Sequence, residues 1–392
     1  MEAGSGLTRR AALVRLGGAL AGGMLVSACG VLRAGNGASN GASGTLVAVG
    51  SPELAWRRQI PGAESLAVSG DTVILGTEAL DAATGKLRWS IGSSFKPPSV
   101  AFAAGGGMVL CIGTDANGVD NITALSPATG HLLWTAPADV GNPNGGLGPW
   151  LTFADNAVYA LIGLPGSHEV NLDDVVLALD GRTGARKWIS RLPPMATAMA
   201  VADGTVYAGS ALGAQSRSGE VVALDGATGA RRWSAQVGVP VGALAVTGGV
   251  VVGCWDTLDQ GPQPLMFGLN AVDGRILWQR DLPVLSAIAA ADGVVFASDD
   301  ATGELMAVDA LTGKLLWKRT ASEQYPSAPN VAGDAVYVGY LNSVQAFSAR
   351  TGKQLWSYPT DGLITRLAAT GATLYAAVDA AGAASVLYAL RV

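Results

Sequence analysis

Short apolar segments separated by Gly, Asp or Asn fill the chain from about residue 50 to its end. Many of them come in pairs around a two-residue turn, as in LAVSGDTVILG (66–76), MAVADGTVYAG (199–209) and IAAADGVVFAS (288–298). Apolar runs of this length, bounded by turn residues, are typical of β-strands. The pattern therefore predicts an all-β protein made of many short antiparallel strands.

A second segment follows these pairs, with the eleven-residue pattern A-x-D-x-x-T-G-x-x-x-W. Five copies keep the pattern closely and two are looser; they occupy residues 79–89, 124–134, 178–188, 223–233 and 307–317, and 268–278 and 346–356. Successive tryptophans are 39 to 54 residues apart, which is the period of propeller blades. Two strands around the first turn and two around the Thr-Gly turn make one four-stranded blade. A blade with two apolar faces has to stack on neighbours.

The two ends of the chain complement each other. Residues 387–392 (LYALRV) begin the motif and stop, and residues 53–56 (ELAW) supply its last part. We predict that the N-terminal strand completes the C-terminal blade and so closes a single eight-bladed β-propeller over residues 50–392. Closure would leave no open sheet edge, and the split motif argues against the competing linear solenoid. The expected blade-docking tryptophans are Trp56, Trp89, Trp134, Trp188, Trp233, Trp278, Trp317 and Trp356.

The first thirty residues have the features of an export signal. Arg9 and Arg10 precede an uncharged, Gly-rich run that is too short to remain as a membrane span, and this arrangement is typical of twin-arginine signals. The sequence VSAC resembles a bacterial lipobox, in which Cys29 would be lipidated after cleavage; an ordinary cleavage site before a cysteine is the alternative. The predicted segments are a signal peptide (1–28), a lipidated cysteine with a Gly/Ser-rich tether (29–49) and the propeller (50–392).

The repeated A-x-D-x-x-T-G-x-x-x-W unit resembles the tryptophan-docking repeat of the pyrroloquinoline-quinone-type propellers, the fold of quinoprotein alcohol dehydrogenases. The resemblance covers essentially residues 50–392. Within that family, the blade number, the lipobox and the length are similar to those of the lipoprotein propellers of the outer-membrane barrel-assembly machinery. A fold of this kind hosts unrelated functions, so the function has to be argued from a site.

Composition and motifs limit the chemistry. The net charge of −5 and the pI near 5.1 give no basic footprint for nucleic acid. The resemblance implies that a quinoprotein dehydrogenase would have a vicinal Cys-Cys disulfide, a calcium ion and a catalytic aspartate, but this sequence has no Cys-Cys pair. Cys111 and Cys254 fall on the second strands of blades 2 and 5 and are expected to be buried and too distant to pair. His131 and His168 lack further ligands at metal spacing. We predict no catalytic residue, cofactor or metal.

Long loops in blades 2 to 5 are expected on one face of the ring, at 114–121, 136–149, 162–175, 210–220 and 254–265. They contain nine acidic residues against one basic residue, Arg217. An acidic docking surface for a basic partner is one interpretation, and simple solvation of the loops is the other. The candidate partner face consists of Asp115, Asp120, Trp150, Asp173, Asp174, Trp255, Asp256 and Asp259, although core burial is an equal alternative for the two tryptophans.

Most basic residues fall instead on or beside the outermost strand of each blade, as Lys86, Arg88, Lys314 and Lys318 do. Charges there prevent edge-to-edge pairing of sheets. The alternative is a basic belt that contacts anionic lipid or a cell-wall polymer.

The combined expectation is a non-catalytic, lipid-anchored scaffold or binding protein outside the cytoplasm, at the cell membrane or outer membrane. It would be a monomer that binds another envelope protein and contacts the membrane only through its anchor. A quinone-binding dehydrogenase or sensor with a reduced site, and a carbohydrate or peptide binding module, are the alternatives.

Overall fold

The computed structural model describes residues 51–60, 62, 65–91, 102–114, 120–138, 146–163, 174–193, 195–211, 218–254, 265–282, 287–299, 302–320, 326–380 and 384–392. Regular structure in these ranges consists of β-strands. None of the described residues forms a helix with the length and apolar character to span a membrane. The predicted signal peptide, Cys29 and the tether lie outside the described residues.

The strands form eight antiparallel four-stranded sheets, which confirms the predicted fold. Blade 1 contains β2 (Leu66–Ser69), β3 (Thr72–Leu75), β4 (Glu78–Asp81) and β5 (Leu87–Ser90). Blade 2 contains β6 (Phe102–Gly105), β7 (Met108–Thr114), β8 (Asp120–Leu125) and β9 (Leu132–Pro137). Blade 3 contains β10 (Gly146–Ala154), β11 (Ala157–Gly163), β12 (Val175–Asp180) and β13 (Arg186–Arg191). Blade 4 contains β14 (Ala196–Ala202), β15 (Thr205–Ala211), β16 (Gly219–Asp225) and β17 (Arg231–Gln236).

The second half of the ring repeats this order. Blade 5 contains β18 (Ala243–Thr247), β19 (Val250–Cys254), β20 (Leu265–Asn270) and β21 (Ile276–Asp281). Blade 6 contains β22 (Ala287–Ala291), β23 (Val294–Asp299), β24 (Glu304–Asp309) and β25 (Leu315–Thr320). Blade 7 contains β26 (Asn330–Ala332), β27 (Ala335–Gly339), β28 (Ser343–Ser348) and β29 (Gln354–Pro359). Blade 8 contains β30 (Leu363–Thr370), β31 (Thr373–Asp379), β32 (Ser385–Arg391) and β1 (Glu53–Ile60).

The innermost strands close the ring. Each one contacts the innermost strand of the next blade, and β30 of blade 8 contacts β2 of blade 1. In blade 8 the N-terminal β1 pairs with the C-terminal β32, with Trp56 opposite Ala389. Every other docking tryptophan also lies opposite the first residue of its motif, as Trp89 lies opposite Ala79. The split motif therefore rejoins in the register of an unbroken copy, as predicted.

Apolar side chains fill the spaces between blades. Eight clusters of buried residues occur in the described part of the chain, and each lies between two neighbouring blades. The second strands are covered on both faces, so β15 and β19 are buried along their whole length. The outermost strands face solvent except at the tryptophan, as in β25 with Trp317. This gradient follows from stacking radial sheets whose two faces are both apolar.

A tryptophan on the outermost strand docks each blade on the next one. Seven indole Nε1 groups donate a hydrogen bond to a backbone carbonyl in the Thr-Gly turn of the following blade, at 2.7 to 3.1 Å. Trp278, for example, donates to the carbonyl of Ala310 at 2.8 Å. A tyrosine or phenylalanine from the second strand of the same blade packs beside four of these indoles and beside Trp356, with ring centroids 5.8 to 5.9 Å apart. Each docking contact buries a large aromatic surface and satisfies a turn carbonyl.

The glycine of the Thr-Gly turn makes this contact possible. The indole of Trp278 lies over Gly313, where an added Cβ would be 2.5 Å from its ring atoms. Gly313 also has a φ of +67°, a conformation that glycine adopts without strain. The corresponding glycines of the other six turns lie in the same way under Trp56, Trp89, Trp134, Trp188, Trp233 and Trp317. The repeated glycine therefore has two roles: it forms the hairpin turn, and its missing side chain leaves room for the neighbouring indole to pack on the backbone.

Side chains in the turn fix its shape. The carboxylate of Asp81 accepts hydrogen bonds from the backbone N (2.9 Å) and hydroxyl (2.7 Å) of Thr84. Arg88 donates to Asp81 and to Asp71, at 2.6 and 2.7 Å. The hydrogen bonds from Thr84, and then those from Arg88, lower the pKa of Asp81 to about 2. Arg88 is thus a structural residue of the turn rather than a freely available charge.

We expect a matched glycine pair to measure the docking contact. Gly313→Ala should destabilise the protein by about 2–5 kcal/mol, because the left-handed turn costs about 1–2 kcal/mol and the overpacked indole about 1–3 kcal/mol. Gly204 has the same φ of +67° with open space around it. Gly204→Ala should therefore show only the cost of the left-handed turn, about 1–2 kcal/mol. Denaturant unfolding gives the two free energies of unfolding. Equal losses for the two variants would contradict the docking role of Gly313.

Candidate interaction site

The connections between strands give the ring two unlike faces. The turns between first and second strands have two residues in every blade, at 70–71, 106–107, 155–156, 203–204, 248–249, 292–293, 333–334 and 371–372. These turns and the Thr-Gly turns form what we call the short-turn face. Because neighbouring strands run in opposite directions, the connections between second and third strands, and those between blades, meet on the other side. We call that side the long-loop face.

Long loops are concentrated in blades 3 to 5, as predicted for most of that sector. The connections between the second and third strands there span 164–174, 212–218 and 255–264, whereas that of blade 1 spans 76–77. The prediction was wrong for the loop 114–121 of blade 2, because the connection 115–119 is no longer than 380–384 in blade 8, whereas the predicted loop 136–149 corresponds to the eight-residue connection 138–145. It also missed the long connections between blades at 91–101 and 321–329. The eleven-residue motif is unchanged beside the connections 91–101 and 321–329, so the repeat pattern gave no signal for their length.

The predicted partner-face residues have three outcomes. Asp115, Asp173, Trp255, Asp256 and Asp259 lie outside the described residues. Asp120 lies on a strand and not in a loop: it is the first residue of β8 and pairs with Thr114. Its side chain is half-buried. Asp174 and Trp150 are described and lie at the interface between blades 3 and 4.

Asp174 belongs to the scaffold, which corrects its assignment to an exposed acidic surface. The residue is only 5% exposed, and its carboxylate accepts a hydrogen bond from the backbone N of Ala196 at the start of β14. Its own carbonyl accepts from the backbone N of Leu192 at 2.7 Å. Asp174 therefore ties blade 3 to the innermost strand of blade 4. A buried carboxylate that is hydrogen-bonded in this way stabilises the structure and is not available to a partner.

Trp150 packs into the ring from β10. It is half-buried against the cluster between blades 3 and 4 that contains Tyr159 and Met199. Of the two alternatives for this residue, the structure favours packing over a free anchor. Its remaining exposed part lies on the innermost strand of blade 3.

Two polar clusters near the long-loop face were not predicted. Asp299 is 1% exposed, and its carboxylate accepts from the hydroxyl of Thr302 at 2.6 Å. The sequence Asp299-x-x-Thr302-Gly303 repeats the D-x-x-T-G turn motif, which is the signal that could have revealed this turn. In blade 8 the hydroxyl of Tyr388 donates to Asp361 at 2.8 Å. Burial, and then Asp361, raise the pKa of Tyr388.

The ring axis carries little charge. Arg366 on β30 is the single charged residue in the eight innermost strands, and its Nη1 donates to the carbonyl of Thr365 at 2.9 Å. The described residues contain no group of three His, Cys, Asp or Glu side chains arranged to hold a metal ion. Cys111 and Cys254 lie on β7 and β19, are both buried, and form no disulfide within the described part of the chain.

Eight closed blades, with seven tryptophans docked on the motif turn of the next blade, define this protein as an eight-bladed tryptophan-docked β-propeller with one long-loop face. A family profile described as "Outer membrane protein assembly factor BamB" matches residues 77–253 and 267–391. The chain belongs to this family. The expected resemblance to the quinoprotein-type propellers is thereby confirmed.

Individual relatives agree with this assignment at low identity. Outer membrane protein assembly factor BamB of Nitrosomonas eutropha is 32% identical over 24% of this chain and 27% of that protein. Tetrathionate hydrolase of Acidithiobacillus ferrooxidans is 32% identical over 24% of each chain. The chain therefore spans about a quarter of the length of the curated relatives it matches.

Solved structures show the same fold. BamB from Moraxella catarrhalis has a TM-score of 0.59 at 17% identity, covering 87% of this chain and all of that one. Quinohemoprotein alcohol dehydrogenase from Comamonas testosteroni has a TM-score of 0.59 at 14% identity, covering 87% of this chain and 76% of that one. BamB and an alcohol dehydrogenase thus share this ring, so the similarity establishes the fold and not the activity.

We expect the Cys111 thiol to be unreactive in the native protein. Burial raises its pKa to about 12, so at pH 8 only about one thiol in ten thousand is the reactive thiolate. Iodoacetamide at pH 8 should leave Cys111 unmodified in the folded protein and should alkylate it in guanidinium chloride, as measured by peptide mass spectrometry. Rapid alkylation of the folded protein would contradict the burial of this side chain.

Proposed function

We propose that this protein is a non-catalytic, lipid-anchored scaffold outside the cytoplasm, and that its long-loop face binds another protein of the cell envelope. The observation that carries the proposal is the unequal construction of the two faces. Two-residue turns make the short-turn face uniform, whereas three consecutive blades extend long loops from the opposite face of a rigid ring. Loops that vary on a rigid scaffold are where binding residues concentrate.

Family membership supports an envelope role. The description of the matching family names outer membrane protein assembly, which is work done by proteins that bind other proteins. We infer that the partner of this chain is likewise an envelope protein. The acidic residues of the loops in blades 3 to 5 favour a partner with a basic contact surface, since opposite charges steer the encounter.

The proposed anchor is Cys29, which follows a signal peptide with Arg9 and Arg10. A lipid on Cys29 and the Gly/Ser-rich segment 30–49 would keep the ring near a membrane while allowing it to reorient. We expect Cys29→Ser to move the protein from the membrane fraction to the soluble exported fraction, as followed by fractionation and by mass spectrometry of the N-terminus. Full membrane retention with an unmodified N-terminus would contradict the anchor.

Charge reversal tests the binding face. We expect Asp256→Lys with Asp259→Lys, in the loop between β19 and β20, to lower partner capture several-fold, mainly by slowing association. Capture is measured by cross-linking in cells followed by mass spectrometry. Asp174 stays native in this variant because it is buried. We expect folding to be unaffected, since substitutions away from packed or hydrogen-bonded features usually change stability by about 0.5 kcal/mol or less.

The matched control reverses charges on the short-turn face. Lys86→Glu with Lys353→Glu changes two exposed side chains beside Thr-Gly turns and should leave capture unchanged. Arg88 is unsuitable for this control because it holds Asp71 and Asp81. If the loop variant captured the same partners as the parent while the control lost them, the long-loop face would not be the binding surface.

A quinone-dependent activity is the alternative that the shared fold with alcohol dehydrogenases suggests. Adding pyrroloquinoline quinone with Ca²⁺ to the purified protein distinguishes the two functions. We expect no stoichiometric change in the quinone absorption spectrum and no dye reduction with alcohols. A saturable spectral change at one quinone per chain would replace the scaffold proposal by a cofactor-binding one.

A further inference from the structure

Large apolar side chains are exposed on the outermost strands of blades 1 and 2 (Leu87, Leu132 and Leu133) and, in greater number, in blades 5 and 6 on the short-turn face. Five of them belong to the Thr-Gly turns and outermost strands of blades 5 and 6. They are Val272 (84% exposed), Ile276 (46%), Leu311 (62%), Leu315 (45%) and Leu316 (45%), and we call them the apolar rim patch. Contiguous exposed apolar side chains on a soluble protein mark an interaction surface.

The docking contacts make this patch continuous across two blades. Trp278 of β21 donates to the carbonyl of Ala310, which immediately precedes Leu311. Arg280 of the same strand donates to the carbonyl of Gly313 at 3.4 Å. The outermost strand of blade 5 therefore lies against the turn of blade 6. Because the repeat fixes this geometry, residues at equivalent motif positions in blades 5 and 6 line up along the rim.

Blades 5 and 6 are unusual at the third residue of the turn, whereas exposed leucines at the start of the outermost strand also occur in blade 2. The third residue of the turn is Val272 in blade 5 and Leu311 in blade 6, but it is Ala83, Ala128 and Ala227 in blades 1, 2 and 4. In blade 3 that residue is Arg182, and Arg186 and Lys187 then begin β13. Blade 4 similarly begins β17 with Arg231 and Arg232. A basic sector of blades 3 and 4 therefore adjoins the apolar rim patch.

Basic side chains also lie within the patch itself. Arg275 and Lys314 are exposed and sit between its apolar members along the chain. The nearby carboxylates are engaged: Asp309 accepts from the backbone N and hydroxyl of Thr312, at 2.8 and 2.6 Å. Asp273 accepts from the backbone N of Arg275 at 3.1 Å and lies 3.9 Å from its guanidinium. The accessible chemistry of this sector is thus protruding apolar tips with Lys314 beside them and with the basic strand starts of blades 3 and 4 next to them.

We propose that the apolar rim patch and the adjoining basic sector bind the surface of an anionic lipid bilayer. Apolar side chains that enter the headgroup region, together with Lys and Arg that attract anionic lipids, are the two parts of peripheral membrane binding. The centre of a protein–protein interface is usually depleted of Lys, whereas Lys314 lies between the apolar members of this patch. This contact is additional to the lipid anchor, which the sequence predicted as the sole attachment, and does not depend on it. It directs the long-loop face away from the membrane.

Vesicle co-sedimentation tests the proposal. The protein used is residues 50–392, which contain all thirty-two strands of the closed ring and lack Cys29. We expect it to bind vesicles of phosphatidylcholine mixed with phosphatidylglycerol, with binding that weakens as salt is raised, and to bind phosphatidylcholine vesicles poorly. The variant Val272→Ser, Leu311→Ser, Leu315→Ser and Leu316→Ser should lose about tenfold or more in apparent binding constant. Circular dichroism and thermal unfolding verify that the variant is folded.

Two further variants give the controls. Leu132→Ser with Leu133→Ser alters side chains of similar exposure, 62% and 51%, in blade 2 outside the patch, and should bind vesicles like the parent. Arg182→Glu, Arg186→Glu and Lys187→Glu should lose binding to the phosphatidylglycerol vesicles specifically. The proposal would be overturned if the patch variant bound vesicles as well as the parent does. It would also be overturned if the parent bound neither kind of vesicle.

Light scattering tests the alternative that a second copy of this protein covers the patch. A parent protein that dimerises, does not bind vesicles, and becomes monomeric in the patch variant would show that a second copy covers this surface and would overturn the lipid proposal. These experiments use purified protein and lipid alone. A negative result in the vesicle experiments would not contradict partner binding by the long-loop face. A negative result in the partner-capture experiment would not contradict lipid binding by the apolar rim patch.

Discussion

The stacking of an indole on a turn glycine of the next blade is the contact on which the ring depends. A single blade has two apolar faces and cannot stand alone in water. The tryptophan covers the outer part of one face, its Nε1 satisfies a turn carbonyl, and the missing Cβ of the glycine lets the two blades approach. Removing a buried tryptophan typically costs about 3–5 kcal/mol. Seven such contacts, repeated around the rim, set the angle between blades.

This contact separates the structural part of the molecule from the variable part. The docking glycine, the turn aspartate and the tryptophan all lie towards the rim and the short-turn face, so long loops can extend from the opposite face without disturbing them. Asp174 marks the boundary, because it lies beside a long loop and yet holds blade 3 to blade 4. A charge on the long-loop face is therefore available to a partner only if it lies beyond such interblade contacts.

The rim itself is not uniform, although the repeat makes its backbone uniform. The motif constrains the aspartate, the glycine and the tryptophan but leaves the third turn residue and the first residues of the outermost strand free. Blades 3 and 4 begin that strand with Arg or Lys and blade 2 begins it with leucines, but only blades 5 and 6 place apolar residues there and a large apolar residue in the turn as well. Charged residues are the usual protection of an exposed edge, so the apolar substitutions depart from what the fold alone requires. That departure is why the apolar rim patch points to a surface outside the protein.

The sequence by itself determined the number of blades, their register and the closure of the ring, because the motif fixes local turns and the spacing of strands. Even the pairing of Trp56 with Ala389 followed from the split copy. The tertiary structure decided which residues of that frame face solvent. Asp174 became buried and Trp150 packed against blade 4. Each of these outcomes depends on contacts between different blades, and such contacts leave no periodic trace in the sequence.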